Sequence, residues 1–376
     1  MKIVFASNFM NHHQLEISKE FKDRAEYTFV ATEPIPSDRL AFGYKDMNSE
    51  YDFIIRSYDS DNEYQRALEE INSADVVIFG SAPFEMIEER IKNNKLTFRY
   101  SERLFKNKAI IRKFHPIIIS KVRATCTKYK DKNYYLLCAS AYAANDYAWF
   151  GAFRNKSFKW GYFPKIQQID NLDDAIQTKI NNKQILWCGR FIKWKHPEYV
   201  VDCAKYLKNK NFDFKIKMIG NGPLIDKMRR LIKKNGLEEE VNIVGTLPFD
   251  KVQNEMKNSK VFLFTSDQNE GWGAVLNESM GNACCVVANK QIGSVPYLIE
   301  DEKNGYVYQT KKEFLQKVER ALINQNTKDV CKNAYQTIHK YWNPEYAVKS
   351  LLDLVNKINS CNIDKIGDSK RPCERT

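Results

Sequence analysis

The amino-acid sequence predicts an α/β protein with two domains, each built on a parallel sheet. Short apolar runs of strand length alternate with amphipathic segments of helix length, which is typical of βαβ units. This alternation weakens once, over residues 160–182, where Pro164 and many Asp, Asn and Gln residues indicate a linker. The length of 376 residues agrees with two domains at about 150 residues per domain.

The first domain is predicted over residues 1–165. Its strands are expected at residues 3–6, 27–31, 54–55, 75–80, 97–100 and 134–139, and its helices at 14–24, 63–73, 83–93 and 141–150. A long helical region is expected over 101–128, with a break at Pro116. No Gly-x-Gly-x-x-Gly follows the first strand, so this domain lacks the dinucleotide fingerprint.

The second domain is predicted over residues 180–342. Its strands are expected at 185–188, 214–219, 241–244, 261–264, 284–288 and 306–308. Its helices are expected at 197–207, 224–235, 249–257, 274–280, 295–299 and 312–324, and a further helix at 326–341. Pro344 suits the first turn of a last helix to about residue 360. The polar, charged end at 362–376 is predicted to be disordered.

Composition and charge exclude several classes of protein. The 43% hydrophobic and 13% aromatic content argue against disorder. The absence of an apolar run of about 18 residues predicts no transmembrane helix, and the start of the sequence has no apolar signal core. The nine cysteines form no CxxC or zinc pattern, which favours reduced thiols and a cytoplasmic location. The net charge of +12 favours polyanions or anionic membrane surfaces as partners.

Two glycine-containing motifs follow strands of the second domain. Gly189 and Arg190 come directly after its first strand, and Lys195 stands just before a predicted helix start at Pro197. Two cations near a helix start can clamp a diphosphate, although they can also be solvated surface charges. The second motif, Gly220-Asn221-Gly222-Pro223, can bring backbone N–H groups close to a ligand or can be an ordinary tight turn.

Two carboxylates with seven residues between them, Glu270 and Glu278, follow the apolar run 261–264. The loop between them contains Gly271, Trp272 and Gly273, whose backbone can fold tightly around phosphate or sugar oxygens. A carboxylate accepts hydrogen bonds from two hydroxyl groups at once, so vicinal hydroxyls of a sugar or ribose are natural ligands. The alternative is a loop charge at Glu270 and an exposed helix charge at Glu278.

Taken together, these motifs resemble the retaining glycosyltransferases of family four, which have the GT-B fold, in their bacterial polysaccharide-, capsule- and lipopolysaccharide-assembly branch. Glu270 to Glu278 resembles the E-x7-E motif of that family. The other matches are Gly189-Arg190 with Lys195, Gly220 to Pro223, residues 241–245, Gly293 to Pro296, and Asn304-Gly305. Asn11 to Gln14 and Tyr100 to Arg103 are similar to segments of bacterial members.

The resemblance implies two Rossmann-like domains with sheets facing a central cleft, and a C-terminal helix at about 344–360 that returns to the first domain. It implies a metal-independent hexosyltransferase that retains anomeric configuration, uses a nucleotide sugar as donor and needs no cofactor, with UDP-sugars favoured over GDP-sugars. Arg190 and Lys195 would bind the diphosphate, Glu278 the ribose, and Glu270 the donor sugar with Gly271 and Trp272 nearby. Thr246 and Leu247 would lie near the base. Asp59-Ser60-Asp61 matches a metal-binding DxD, but we interpret it as a solvated loop.

The acceptor side departs from the family pattern. Gly80-Ser81-Ala82 stands where many relatives have a histidine, so the acceptor-side group is left open between His12, His13 and Glu102, which follow first-domain strands. The acceptor is expected to be a saccharide or a lipid-linked oligosaccharide.

A basic stretch over residues 106–132 predicts contact with an anionic membrane at its inner face. Its cations are Lys106, Lys108, Arg112, Lys113, Lys121, Arg123, Lys128, Lys130 and Lys132. The alternative is a helix with one solvated and one packed face. No nucleic-acid-binding motif accompanies the charge. Two other functions stay open: a nucleotide-sugar epimerase of the same fold, and a non-catalytic basic protein that binds membrane or nucleic acid.

Overall fold

The computed structural model describes residues 1–37, 45–106, 114–323 and 325–376, which form two compact units. The first unit contains residues 1–165 and 343–376, and the second contains residues 166–342. Both have an all-parallel sheet, whose central strands are buried on both faces and therefore consist of near-continuous apolar runs. No helix within the described ranges is long and apolar enough to span a bilayer.

The first unit has a seven-stranded sheet in the order β3-β2-β1-β4-β5-β6-β7. Its strands are β1 (Lys2–Ser7), β2 (Glu26–Ala31), β3 (Ile54–Arg56), β4 (Val76–Phe79), β5 (Thr97–Ser101), β6 (Tyr134–Cys138) and β7 (Ser157–Lys159). Its helices before the second unit are α1 (His12–Arg24), α2 (Asp61–Ser73), α3 (Glu85–Lys92), α4 (Pro116–Thr125) and α5 (Ala143–Ala148).

The second unit has a six-stranded sheet in the order β10-β9-β8-β11-β12-β13. Its strands are β8 (Gln184–Cys188), β9 (Lys215–Ile219), β10 (Val241–Gly245), β11 (Val261–Phe264), β12 (Cys285–Asn289) and β13 (Tyr306–Tyr308). Its helices are α6 (Leu172–Asn182), α7 (Glu198–Asn209), α8 (Ile225–Lys234), α9 (Phe249–Asn258), α10 (Val275–Gly281), α11 (Val295–Leu298), α12 (Lys311–Ile323) and α13 (Thr327–Tyr341).

The last helix, α14 (Pro344–Asn359), belongs to the first unit. It begins at Asn343, whose side chain accepts a hydrogen bond from the Tyr346 N–H at 2.9 Å, and Pro344 takes the first turn. Its buried apolar stripe includes Leu351, Leu354 and Ile358. The helix thus returns to the first unit, as the resemblance implies.

The predicted linker is partly a helix. Residues 172–182 form α6, which the Asp and Asn residues concealed because both are poor helix formers. Asn171 caps this helix, and Lys179 lies fully buried with its ammonium donating to backbone carbonyls of Asn282 at 2.6 Å and Ala283 at 3.1 Å. The carbonyl partners lie more than 100 residues away, so periodicity within the segment could not reveal them.

Two further predictions differ from the structure. Residues 102–106 are not helical, and the helical region begins at Pro116; residues 107–113 lie outside the described ranges. The tail at 362–376 is ordered along the edge strand β7. Arg375 forms an antiparallel β-bridge with Phe158, and the Lys159 N–H donates to the Glu374 carbonyl at 2.8 Å. An edge strand offers unpaired backbone groups, and these hold a polar tail that has few apolar side chains.

Candidate functional site

The candidate site of the second unit lies where its strand order reverses, between β8 and β11. In open parallel sheets, ligands bind outside the carboxyl ends of the strands at such a switch point. Gly189 and Arg190 follow β8, and Thr265 and Ser266 follow β11. The sheet topology therefore brings the Arg190 motif to the same edge as the loop that carries Glu270.

Lys195 and Glu270 form an ion pair at this edge, although 75 positions separate them in the sequence. The Lys195 Nζ donates to Oε2 of Glu270, and the Ser266 hydroxyl donates to the same oxygen at 2.9 Å. The two charged side chains are only 13% and 12% exposed. Because little water reaches them, removing either partner would leave a poorly solvated charge.

Glu278, on the first turn of α10, is a second buried carboxylate. The residue is 8% exposed, which rules out the alternative of an exposed helix charge. Burial raises the pKa of its carboxyl from 4.5 to about 7, and no cation in the described part of the chain lowers it. A buried carboxylate of this kind can accept hydrogen bonds from hydroxyl groups of a ligand.

Cys188, at the end of β8, connects these groups electrostatically. Burial raises the pKa of its thiol to about 12; the Glu278 carboxylate adds to the rise, and the Lys195 ammonium opposes it. Lys195 and Glu278 therefore both lie within electrostatic reach of one side chain. The diphosphate candidate Lys195 follows β8 and the ribose candidate Glu278 follows β11, and these two strands are adjacent at the switch point.

The glycines after β9 allow three strand ends to pack closely. Gly220 has a φ of +130°, and a Cβ atom there would lie 2.0 Å from the carbonyl oxygen of Gly189. Gly222 has a φ of +150°, and its Cβ atom would lie 2.8 Å from the carbonyl oxygen of Phe191. The Gly220 N–H donates to the Gly245 carbonyl at 2.8 Å. Backbone packing therefore requires these glycines, and their contact with a ligand stays a prediction.

The remaining donor-site candidates lie at the carboxyl ends of neighbouring strands. Arg190 is exposed, with its guanidinium 5.8 Å from the ring centre of Trp194. Asn221 and Thr246 follow β9 and β10, where Asn221 is exposed. Leu247 comes directly after Thr246 in the same loop. Each of these positions adjoins the edge that carries Lys195.

The loop between the two glutamates is tightly packed. Gly271 is buried, and Gly273 has a φ of +83°. A Cβ atom at position 273 would lie 2.4 Å from Cζ of Phe264, so a larger residue there would clash. The Trp272 indole is fully buried; it donates to Oδ1 of Asn277 at 2.9 Å. Trp272 can therefore contact a ligand only through its backbone, as the resemblance implies.

Sequence reasoning missed that His196 links the segment after β8 to the loop after β11. Its Nδ1 lies 2.8 Å from Oε1 of Glu198, and its Nε2 lies 3.2 Å from Oδ2 of Asp267. The hydrogen bond to Glu198 is the main cause that raises the pKa of His196. Ser266 was also missed, and its position directly after a buried strand was the only signal.

In the first unit, the acceptor-side candidates form a separate cluster. Asn11 caps α1, so His12 and His13 begin the helix that follows β1, and their ring centres lie 3.8 Å apart. The His13 ring stacks on Tyr162 at 5.2 Å, and the Tyr162 hydroxyl donates to Oε1 of Glu102 at 2.6 Å. Tyr162 follows β7, a strand that the sequence did not predict, so sequence reasoning missed it.

Glu102 also forms an ion pair with Lys106, the first cation of the basic stretch. Lys108, Arg112 and Lys113 lie outside the described residues. Beyond them, Lys121, Arg123, Lys128 and Lys130 are exposed, and Lys132 is half-buried. The same region exposes three large apolar side chains, Phe114, Ile117 and Trp149, at 64%, 71% and 55%.

The Asp59-Ser60-Asp61 tripeptide has a structural role. Ser60 caps α2 by accepting a hydrogen bond from the Glu63 N–H at 3.2 Å, and Asp59 pairs with Arg56 at 2.8 Å. Within the described ranges, no group of three His, Cys, Asp or Glu side chains is arranged to hold a metal ion.

Comparison with known proteins gives a family for the second unit. Residues 168–337 match the family model described as glycosyl transferases group 1. A glycosyltransferase of Methanocaldococcus jannaschii is 30% identical over 120 residues, which cover 32% of each protein. A Campylobacter jejuni N-acetylgalactosaminyltransferase, named for a diphospho-undecaprenol-linked acceptor, is 31% identical over 135 residues, or 36% of this chain and 35% of that protein. The matched segments thus span about a third of these curated relatives.

The fold comparison covers both units. The crystal structure of Anabaena Alr3699/HepE in complex with UDP has a TM-score of 0.67 and 13% sequence identity, and the match covers 96% of this chain and 100% of that one. This similarity concerns the fold. We conclude that the chain has the GT-B fold and that its residues 168–337 are a domain of the glycosyl transferases group 1 family.

Proposed function

We propose that the protein is a glycosyltransferase of surface-polysaccharide assembly, which moves a sugar from a nucleoside diphosphate sugar to a saccharide acceptor. The observation that carries this proposal is the meeting of Lys195, Glu270 and the buried Glu278 at one switch point, within the segment that matches the family model. A site with cations and hydroxyl-accepting carboxylates suits a ligand that combines a diphosphate with two sugars.

The proposed roles follow from charge and position. Arg190 and Lys195 bind the diphosphate, and the N–H groups near Gly220 and Gly222 add donors. Glu278 accepts from the ribose hydroxyls and Glu270 from those of the donor sugar. The loop at Thr246 and Leu247 adjoins the base.

Transfer breaks the bond between the anomeric carbon and the diphosphate oxygen and forms a bond from that carbon to the acceptor oxygen. The electron pair of the broken bond stays on the diphosphate oxygen, which takes the proton that the acceptor hydroxyl gives up. Arg190 and Lys195 stabilise the charge that develops on the leaving group, so we propose that no divalent metal is needed. Retention of configuration is proposed from the resemblance to family four.

Two relatives favour particular substrates. The HepE structure contains UDP, which supports a UDP-sugar over a GDP-sugar as donor. The Campylobacter enzyme is named for a lipid-linked diphosphate acceptor, which supports an acceptor of that chemical class here. On the first unit, the cluster of His12, His13, Tyr162 and Glu102 offers imidazole and carboxylate groups to an acceptor hydroxyl.

A lipid-linked acceptor makes membrane contact useful, and the first unit has a surface that suits it. We include peripheral binding to anionic lipid in the proposal because Phe114, Ile117 and Trp149 are exposed beside Lys121 and Arg123. Ile117→Ser combined with Trp149→Ser should reduce co-sedimentation with phosphatidylglycerol vesicles, and binding to neutral phosphatidylcholine should be weak throughout. Equal sedimentation of the variant and the unsubstituted protein would contradict this part.

The transferase proposal is tested with a panel of UDP- and GDP-sugars, read by thermal shift and by mass analysis of the products. Stabilisation by a nucleotide sugar is expected, and it should be lost in Glu278→Ala and Arg190→Ala. Arg229→Ala is the matched control, because this exposed arginine lies on α8 and pairs with Asp226 in the same helix.

Three outcomes would contradict the proposal. An epimerised nucleotide sugar without transfer would indicate an epimerase. Vesicle binding with no nucleotide effect would indicate a non-catalytic membrane protein. An unchanged melting temperature with every nucleotide would mean that the protein has no donor site.

A further inference from the structure

We propose that Glu270 competes with the donor diphosphate for Lys195, so that the site favours a nucleotide sugar over the free nucleoside diphosphate. This inference rests on the proposed function, because it takes Lys195 as a diphosphate ligand. It adds a role for Glu270 in discriminating substrate from product. The two cations of the site, Lys195 and Arg190, differ in the partners that they already have.

Lys195 already has an anionic partner. Its ammonium donates to Oε2 of Glu270, and the short helical turn that carries it (Lys193–Lys195) is fixed because the Thr265 hydroxyl donates to the Lys195 carbonyl at 2.6 Å. Aromatic rings confine the ammonium further, with the ring centre of Trp194 at 4.8 Å and that of Phe264 at 5.8 Å. A phosphate oxygen that approaches this ammonium therefore competes with the Glu270 carboxylate for the same positive charge.

Arg190 differs from Lys195. It is exposed, and no ion pair in the described part of the chain includes it; its guanidinium lies beside the Trp194 ring. A diphosphate can therefore bind Arg190 without displacing a carboxylate. Only the second contact, to Lys195, competes with an existing ion pair.

The Glu270 carboxylate, once displaced from Lys195, determines whether the nucleotide sugar or the free nucleoside diphosphate binds more tightly. Glu270 is 9% exposed, so without Lys195 it would keep the Ser266 hydroxyl and gain little water. A nucleotide sugar supplies sugar hydroxyls that can donate to the freed oxygen, whereas a nucleoside diphosphate has no donor sugar to supply them. After transfer the sugar leaves this carboxylate, which returns to Lys195 and weakens the hold on the product.

The test measures Kd by titration calorimetry for UDP and for UDP-glucose, UDP-galactose and UDP-N-acetylglucosamine, with GDP and GDP-mannose in parallel. Glu270→Gln removes the competing charge and keeps the shape of the side chain. UDP should bind this variant about tenfold more tightly, the size of one charge-assisted hydrogen bond. The best nucleotide sugar should gain less or should lose affinity, so the preference for nucleotide sugar over UDP falls.

Two controls separate competition for Lys195 from a general loss of negative charge. Glu239→Gln removes an exposed carboxylate that precedes β10, at the opposite end of the strand from the site, and it should change the UDP affinity by less than about twofold. In a protein that already carries Lys195→Gln, adding Glu270→Gln should no longer lower the Kd for UDP. Melting curves of each variant confirm that it is folded.

The outcomes distinguish this inference from the proposed function. If the unsubstituted protein binds UDP but Glu270→Gln binds it equally or more weakly, the competition does not exist while the donor site stands. An equal gain in the Lys195→Gln background would also overturn the competition. If the unsubstituted protein binds none of the nucleotides, the proposed function fails and the inference fails with it.

Discussion

Replacing Glu278 by Gln should stabilise the protein at alkaline pH and have a smaller effect at acidic pH. Burial raises the pKa of this carboxyl from 4.5 to about 7. A group with a raised pKa binds its proton more tightly in the folded state. Its stabilising contribution is therefore complete below pH 4.5 and is lost as the pH rises through about 7.

The magnitude follows from the two pKa values. Because the carboxyl ionises more readily in the unfolded state, its titration lowers the free energy of unfolding by about 1 kcal/mol at pH 5.5 and by about 3 kcal/mol at pH 8, relative to a group that does not titrate. The free energy of unfolding of Glu278→Gln should thus gain about 2 kcal/mol on the unsubstituted protein over this range. For a unit the size of residues 166–342, this corresponds to a relative gain in Tm of about 4–8 °C.

The assay is differential scanning calorimetry at several pH values from about 5.5 to 8 for both proteins. Glu239→Gln, at an exposed position, is the matched control for the replacement of one carboxylate by an amide. A pH-independent difference for Glu278→Gln would refute this prediction, because it would mean that the Glu278 carboxyl titrates at the same pH in the folded and unfolded states.

Nucleotide binding gives a second readout of the same carboxyl. If ribose hydroxyls donate to ionised Glu278, binding at acidic pH must remove its proton, so UDP affinity should rise with pH through about 7. Glu278→Gln should bind UDP more weakly and should lose this pH dependence. A variant that is more stable but binds less well would show that the burial of this carboxyl serves function at the cost of stability.

Three further predictions concern packing. Gly220→Ala should lower the free energy of unfolding by more than about 3 kcal/mol or prevent folding, because its Cβ atom would lie 2.0 Å from a backbone oxygen. The control is Gly236→Ala, where φ is also positive but a Cβ atom meets nothing within 4 Å, and it should cost only about 1 kcal/mol. Equal costs for the two variants in chemical denaturation would contradict the clash. Trp272→Phe should lower the Tm yet leave the Kd for UDP within about threefold, since the indole is fully buried; a large loss of affinity in the folded variant would place the ring in the site. Deleting residues 367–376 should lower the Tm of the first unit, whose edge strand the tail covers, and an unchanged melting curve with unchanged proteolysis would show that the tail contributes nothing to stability.

The sequence alone determined the fold class and most of the elements of both sheets. The apolar runs at 261–264 and 306–308 coincide with β11 and β13, because a fully buried parallel strand needs a short continuous apolar segment and polar residues end it. The glycines and charged residues after β8, β9 and β11 predicted the donor-site candidates, since ligands bind parallel sheets at that end. Local pattern was sufficient for these features because each is a property of a few consecutive residues.

Tertiary structure decided the features that depend on distant partners. The sequence left Glu278 open between a carboxylate that binds hydroxyl groups and an exposed helix charge, and only the packing around α10 shows that it is buried with a raised pKa. The ion pair of Lys195 with Glu270 depends on β8 and β11 being neighbours, which strand order fixes and sequence periodicity does not. Lys179 in α6 and the tail along β7 were missed for the same reason, because backbone groups far away in the sequence supply their hydrogen bonds.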